Sequence, residues 1–129
     1  MCIRDRFRAA AEALAGVGVA FVELREPGEH GTFGRASHSP VAPVIRAAFG
    51  GPVVLNSDYV GETAEAAVER GEADAVAFGR PFIANPDLVA RIRAGAALAR
   101  DDAATWYSQG DEGYLDYPCL LYTSPSPRD

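Results

Sequence analysis

Short apolar runs alternate along this chain with stretches in which apolar residues return every three or four positions, and that rhythm predicts alternating strands and helices. Phe7, Ala11, Leu14 and Val17 share one helical stripe, with Gly16 and Gly18 as stop signals, so a helix is predicted over residues 7–15. Residues 19–24 carry the aromatic and β-branched content of a buried strand, ended by Arg25, Glu26 and Pro27. Residues 28–39 hold three glycines and both histidines and read as a loop. Pro43 fits the first turn of a helix that carries Val44, Ile45, Ala48 and Phe49 and is closed by Gly50 and Gly51. A second strand over residues 52–55 runs into the polar turn Asn56, Ser57, Asp58, Tyr59. The next helix spans residues 62–70, with Ala64, Ala67 and Val68 facing inward and Gly71 past its end.

The third strand, residues 75–78, is apolar throughout, as suits a strand covered on both faces of a parallel sheet. Asn85, Pro86 and Asp87 then form a helix start, with Asn as cap, Pro in the first helical position and Asp at the positive end of the dipole. Leu88, Val89 and Ile92 give that helix a core stripe, and Gly95 ends it. Strands alternating with helices imply an α/β fold with parallel strands joined by right-handed crossovers. Three strands cannot close a barrel, and a (β/α)8 TIM barrel takes on the order of 250 residues. With 129 residues, the chain is expected to be about three βα units of a larger barrel.

Charge and composition narrow the classes. A hydrophobic content of 48% suits a packed core, and 18 acidic against 12 basic residues give a net charge of -6. A nonspecific grip on nucleic acid or an anionic membrane is therefore disfavoured, and no apolar run approaches the roughly 20 residues that span a bilayer. The expectation is a soluble cytoplasmic protein. Cys2 and Cys119 stand far apart and lack metal-ligand spacing, so neither a disulfide framework nor a metal site is expected. Residues 1–6 and 119–129 do not continue the patterns beside them and read as non-native tails flanking one domain over residues 7–118.

Candidate chemistry gathers at the carboxyl ends of the strands, where barrel sites lie. Backbone N–H groups after the second and third strands, with the planar guanidinium of Arg80 beside Gly79, can hold a phosphate monoester. On pattern alone Gly79 can equally be a plain turn residue, and Arg80 a structural ion-pair partner. His30 and His38 lie in the loop on the site face, where a general acid or base could stand and where solvated histidines are commoner. Glu23, Arg25 and Glu26 can point into the site or pair with one another, and pairing is favoured. Trp106 and Tyr107 can wall a pocket or pack against the sheet.

Taken together, residues 52–59, the string Phe78-Gly-Arg-Pro-Phe-Ile-Ala-Asn-Pro-Asp-Leu88, Thr105-Trp-Tyr107 and Gly113-Tyr-Leu-Asp-Tyr-Pro118 resemble the old yellow enzyme family, closest to bacterial alkene reductases related to N-ethylmaleimide reductase. The resemblance covers residues 7–118 and is carried most specifically by that string. It implies the C-terminal part of a (β/α)8 barrel that binds FMN, is reduced by NAD(P)H and acts on a small activated alkene. By position Asn56, Ser57 and Asp58 match the family's phosphate loop after strand seven, and Ala77, Phe78, Gly79 and Arg80 the one after strand eight. Tyr107, with Trp106 beside it, matches the aromatic pair near flavin and substrate. The family often has glycine at the position of Ser57 or Asp58. Its substrate-anchoring pair, its proton-donating tyrosine and the glutamine and arginine beside the flavin belong to earlier strands, so no catalytic residue is transferred to this chain. The isolated chain is expected to be inactive. Another phosphate-binding barrel, such as an isomerase or aldolase, and a small non-catalytic α/β binding module are the alternatives.

Overall fold

The computed structural model describes residues 2–28, 31 and 34–120. They form two compact units, one running through Ala77 and one starting at Phe78. In the first, strands β1 (Val22–Arg25), β2 (Val53–Asn56) and β3 (Ala75–Ala77) make a parallel sheet in the order β1-β2-β3. Helices α1 (Ile3–Val17), α2 (Ala42–Phe49) and α3 (Gly61–Glu69) complete the βα series.

Strand alternation decides which residues make the core. Leu24, Val53 and Leu55 are buried and cluster with Ala11 of α1 and with Ala42, Ile45 and Phe49 of α2. Successive side chains point to opposite faces, so Glu23, Val54, Asn56, Ala75 and Ala77 share the other face through their register. On that face Asn56 Nδ2 donates to Glu23 Oε1 at 2.7 Å. Glu26 also reaches a different element: its carboxylate accepts the N–H of Val41 at 2.6 Å and of Ala42 at 3.3 Å. A negative charge thereby caps the positive end of α2, with the gain expected of a dipole contact.

Several boundaries differ from those predicted. Helix α1 begins at Ile3 and so includes residues 3–6, because Arg4, Asp5 and Arg6 are compatible with a helix and the first turn bonds back to Cys2 O. Strand β1 starts at Val22, where its N–H first meets a partner, Pro52 O at 3.1 Å. Before it, Gly18 closes α1 at φ 72°, a left-handed turn that keeps the following residues out of register with β2. Leu14, Val17, Val68 and Val89 are exposed rather than core residues. Strand β3 is an edge and not a strand covered on both faces. Ala75 is exposed and Val76 and Ala77 are half-buried, since among the described residues β3 pairs only with β2.

The second unit opens with α4 (Arg80–Ala84), a turn of helix that periodicity did not predict, followed by α5 (Leu88–Arg93). Asp87, not Asn85, is the N-cap residue of α5, and Pro86 lies outside the helix. Asn85 is fully buried and bonds elsewhere. Arg91, 6% exposed, joins Asp87 through Nε at 2.7 Å and donates to the carbonyls of Ala97 and Pro118. That pairing holds the Asp87 carboxyl below the usual carboxylate range, against the opposing effect of burial. Downstream, Thr105 fills the space beside Gly113, where a Cβ would collide with its side chain, and Gly113 adopts φ 76°. Glycine is required there by both contact and conformation.

Candidate functional site

The tip of β2 has the most unusual backbone of the described residues. Ser57 has φ 113° and Asp58 φ 54°, and among described non-glycine residues these two alone have positive φ. Such conformations cost on the order of 1–3 kcal/mol each and persist where surrounding structure imposes them, most often at ligand-holding sites. Ser57 is half-buried and Asp58 exposed. Beside this tip ends β3, since Asn56 and Ala77 are register partners. Both strands therefore deliver their carboxyl ends to one edge of the sheet, the edge that carries the chemistry of parallel α/β folds.

In the second unit, Phe78 and Gly79 lead into α4, whose first residue is Arg80. Gly79 is exposed at φ -96° and ψ -81°, outside the regular helical and extended regions, and a Cβ built there would meet no atom within 4 Å. Packing does not call for a glycine there, whereas its irregular backbone angles suit one. Arg80 is half-buried at the start of the helix, with Pro81 behind it in the first turn. Trp106 is half-buried, whereas Tyr107 is 91% exposed. Their turn is fixed by Thr105, whose N–H and hydroxyl both donate to Asp102 O, at 3.0 and 2.9 Å.

Other candidates resolve less sharply. His30 lies outside the described residues. His38 is half-buried, with Nδ1 3.0 Å from Ser39 O, and it lines a cleft of about 1170 Å³ in the first unit with Glu26, Arg46, Leu55 and Tyr59. Within that cleft Glu26 caps α2, and Arg46 donates to Asp74 Oδ2 at 2.6 Å, so two of its charged groups have structural work. Tyr59 has its hydroxyl pKa raised, first by burial and then by the carboxylates of Glu72 and Glu26. No cluster of three or more metal-ligating side chains occurs among the described residues. Sequence reading missed Asn85, Asp74 and Glu26 as organisers. Only Asn85 left a signal, being polar directly after the apolar run from Phe82 to Ala84.

Parallel βα units with their strand ends side by side are the build of a segment of an α/β barrel. Residues 8–99 match the sequence profile described as the NADH:flavin oxidoreductase / NADH oxidase family. The chain belongs to that family. It is similar to the old yellow enzyme homologue of Zymomonas mobilis, with 48% identity and a TM-score of 0.85 over 88% of this chain and 32% of that one. Morphinone reductase is similar at 35% identity and a TM-score of 0.84, over 97% of this chain and 33% of that structure. A Leishmania infantum protein named "Probable flavin mononucleotide-dependent alkene reductase" is 58% identical over 59 residues, 46% of this chain and 16% of its own length. The chain thus spans about a third of the solved structures it matches. Its fold is part of the (β/α)8 barrel of old yellow enzymes, and the isomerase, aldolase and autonomous-module readings are set aside.

Proposed function

We propose that this chain is the part of an FMN-dependent NAD(P)H:alkene oxidoreductase that carries half of the grip on the FMN phosphate. The observation that carries the reading is the pair of strained residues Ser57 and Asp58 at the tip of β2, alongside the end of β3. Support comes also from the family match and from the name of the Leishmania infantum relative. Backbone N–H groups of Asn56, Ser57 and Asp58, and of Phe78 and Gly79 after Ala77, donate to the phosphate, and the Arg80 guanidinium supplies positive charge. Each charge-assisted bond contributes roughly 1.5–3 kcal/mol. The exposed Asp58 carboxylate turns away, because beside a dianion it would repel.

The flavin, when bound, supplies the two-electron chemistry between NAD(P)H and an activated alkene. What this chain adds is binding and orientation. Trp106 and Tyr107 stand near the flavin ring and substrate, and Tyr107 is exposed enough to be covered by either. No proton-transfer role falls to a residue of this chain. A cytoplasmic location, where reduced nicotinamide is made, belongs to the same proposal. Among the described residues no helix is long and apolar enough to cross a membrane.

The test is a chimera in which this chain replaces the matching segment of the Zymomonas mobilis homologue. It should purify yellow and oxidise NAD(P)H in the presence of an enone. A folded, colourless chimera that takes up no added FMN would overturn the reading.

A further inference from the structure

Asn85 is 0% exposed, and every bond of its side chain lies within the second unit. Its Oδ1 accepts the N–H of Ala99 at 2.8 Å while its Nδ2 donates to Ala99 O at 3.1 Å, so the amide pairs with both backbone groups of one residue as a neighbouring strand would. The same Nδ2 donates to Pro81 O at 2.8 Å. Pro81 is the second residue of α4, and Arg80 the first. A helix of five residues does not hold itself together in water, and α4 has no side-chain cap at its N-terminus. The clamp from Asn85 is therefore what fastens this turn to the segment around Ala99.

We infer that Asn85 is a positioning residue for the phosphate grip: by tying Pro81 to Ala99 it fixes the backbone from which the Arg80 guanidinium extends, without touching the ligand. The inference rests on the phosphate role proposed for Arg80. An arginine on a loose turn must be ordered on binding, and that cost falls on affinity, whereas one on a clamped turn is ordered beforehand. Asparagine suits the position because one planar group offers an acceptor and two donors. Leucine or alanine would leave partly buried backbone groups of Ala99 and Pro81 without these partners.

The chimera described above separates this role from simple stability. FMN and riboflavin differ by the phosphate alone, so both are titrated against the apo protein by quenching of flavin fluorescence. Asn85→Ala should weaken FMN about tenfold, the scale of one charge-assisted bond, and leave riboflavin nearly unchanged. It should cause no further loss of FMN affinity in an Arg80→Ala background. Asn85→Ser stays neutral and polar but is too short to bridge Pro81 and Ala99, and it serves where the alanine variant does not fold. Equal losses for FMN and riboflavin, no loss for either, or equal losses with and without Arg80 would overturn the inference. If Arg80→Ala itself binds FMN as tightly as the parent chimera, the phosphate role of Arg80 fails, and this inference with it, by a result visible before Asn85 is changed.

Discussion

Val53 and Asp74 exchange two hydrogen bonds: the Asp74 N–H donates to Val53 O at 2.9 Å, and the Val53 N–H donates to Asp74 Oδ2 at 2.8 Å. The side chain of Asp74 thus pairs with β2 just before β3 begins, and the same carboxylate receives Arg46 of α2. One residue fastens two strands and a helix. Asp74→Ala should lower the urea midpoint of the chain clearly more than Glu72→Ala, whose partner Arg70 lies two residues away on an exposed surface. Equal effects in urea titrations would show that the Asp74 bonds carry no special weight.

Acid sensitivity follows from three carboxyls. Asp74 is held below its usual range chiefly by Arg46, Asp87 chiefly by Arg91 and Glu72 chiefly by Arg70. A carboxyl with a depressed folded-state pKa stabilises the fold above its unfolded value, about 4, and that stability is lost as pH falls from there through the folded value. Stability should be level near pH 6 and decline below about pH 4. Asp87→Asn should make the decline shallower. Tyr59 behaves in the opposite sense. Its raised pKa favours the neutral phenol in the folded state, so stability should fall as pH rises beyond about 10, and Tyr59→Phe should remove that fall.

Strain at the β2 tip has a direct signature. Glycine relieves a penalty of about 1–2 kcal/mol at a positive φ and costs about 0.5–1 kcal/mol in unfolded-state entropy. Ser57→Gly and Asp58→Gly should therefore each stabilise the fold by about 0.5–1 kcal/mol in denaturant titrations. Destabilisation by both would mean that their side chains earn their place through contacts.

The phosphate role of Arg80 predicts an order of FMN affinities in the chimera. Arg80→Ala should weaken FMN by about ten- to a hundredfold, from loss of one charged donor set. Arg80→Lys should fall between, because it keeps the charge and loses the planar fork. Equilibrium dialysis that ranks lysine with alanine would point to the fork alone, and no loss in either would remove Arg80 from the site.

The isolated chain should show no alkene reductase activity and weak or no retention of FMN. Chain that stays yellow through desalting and oxidises NADPH with an enone would contradict this.

The order of strands and helices was legible because hydrophobic periodicity and glycine stop signals are local. Gly18 and Gly50 directly follow the helix ends they were read to close, Gly95 lies two residues past Arg93, and all three have positive φ. Positions decided by distant partners were not legible. Glu26 caps a helix fifteen residues on, and Asp74 reaches back to Val53. Val68 and Val89 fit their helical stripes, yet among the described residues both are exposed. At the candidate site, residue types suggested Arg80 and the β2 tip, but the strain at Ser57 and Asp58 is a backbone property that no side-chain pattern displays.

Among the described residues the outer strands of the parallel sheet, β1 and β3, each pair with one neighbour, which leaves two rows of peptide groups able to accept another strand. This suits the chain to be one piece of a split protein. A separately expressed polypeptide with the remaining strands could be added to it in a cuvette, and the return of flavin colour would time the reassembly.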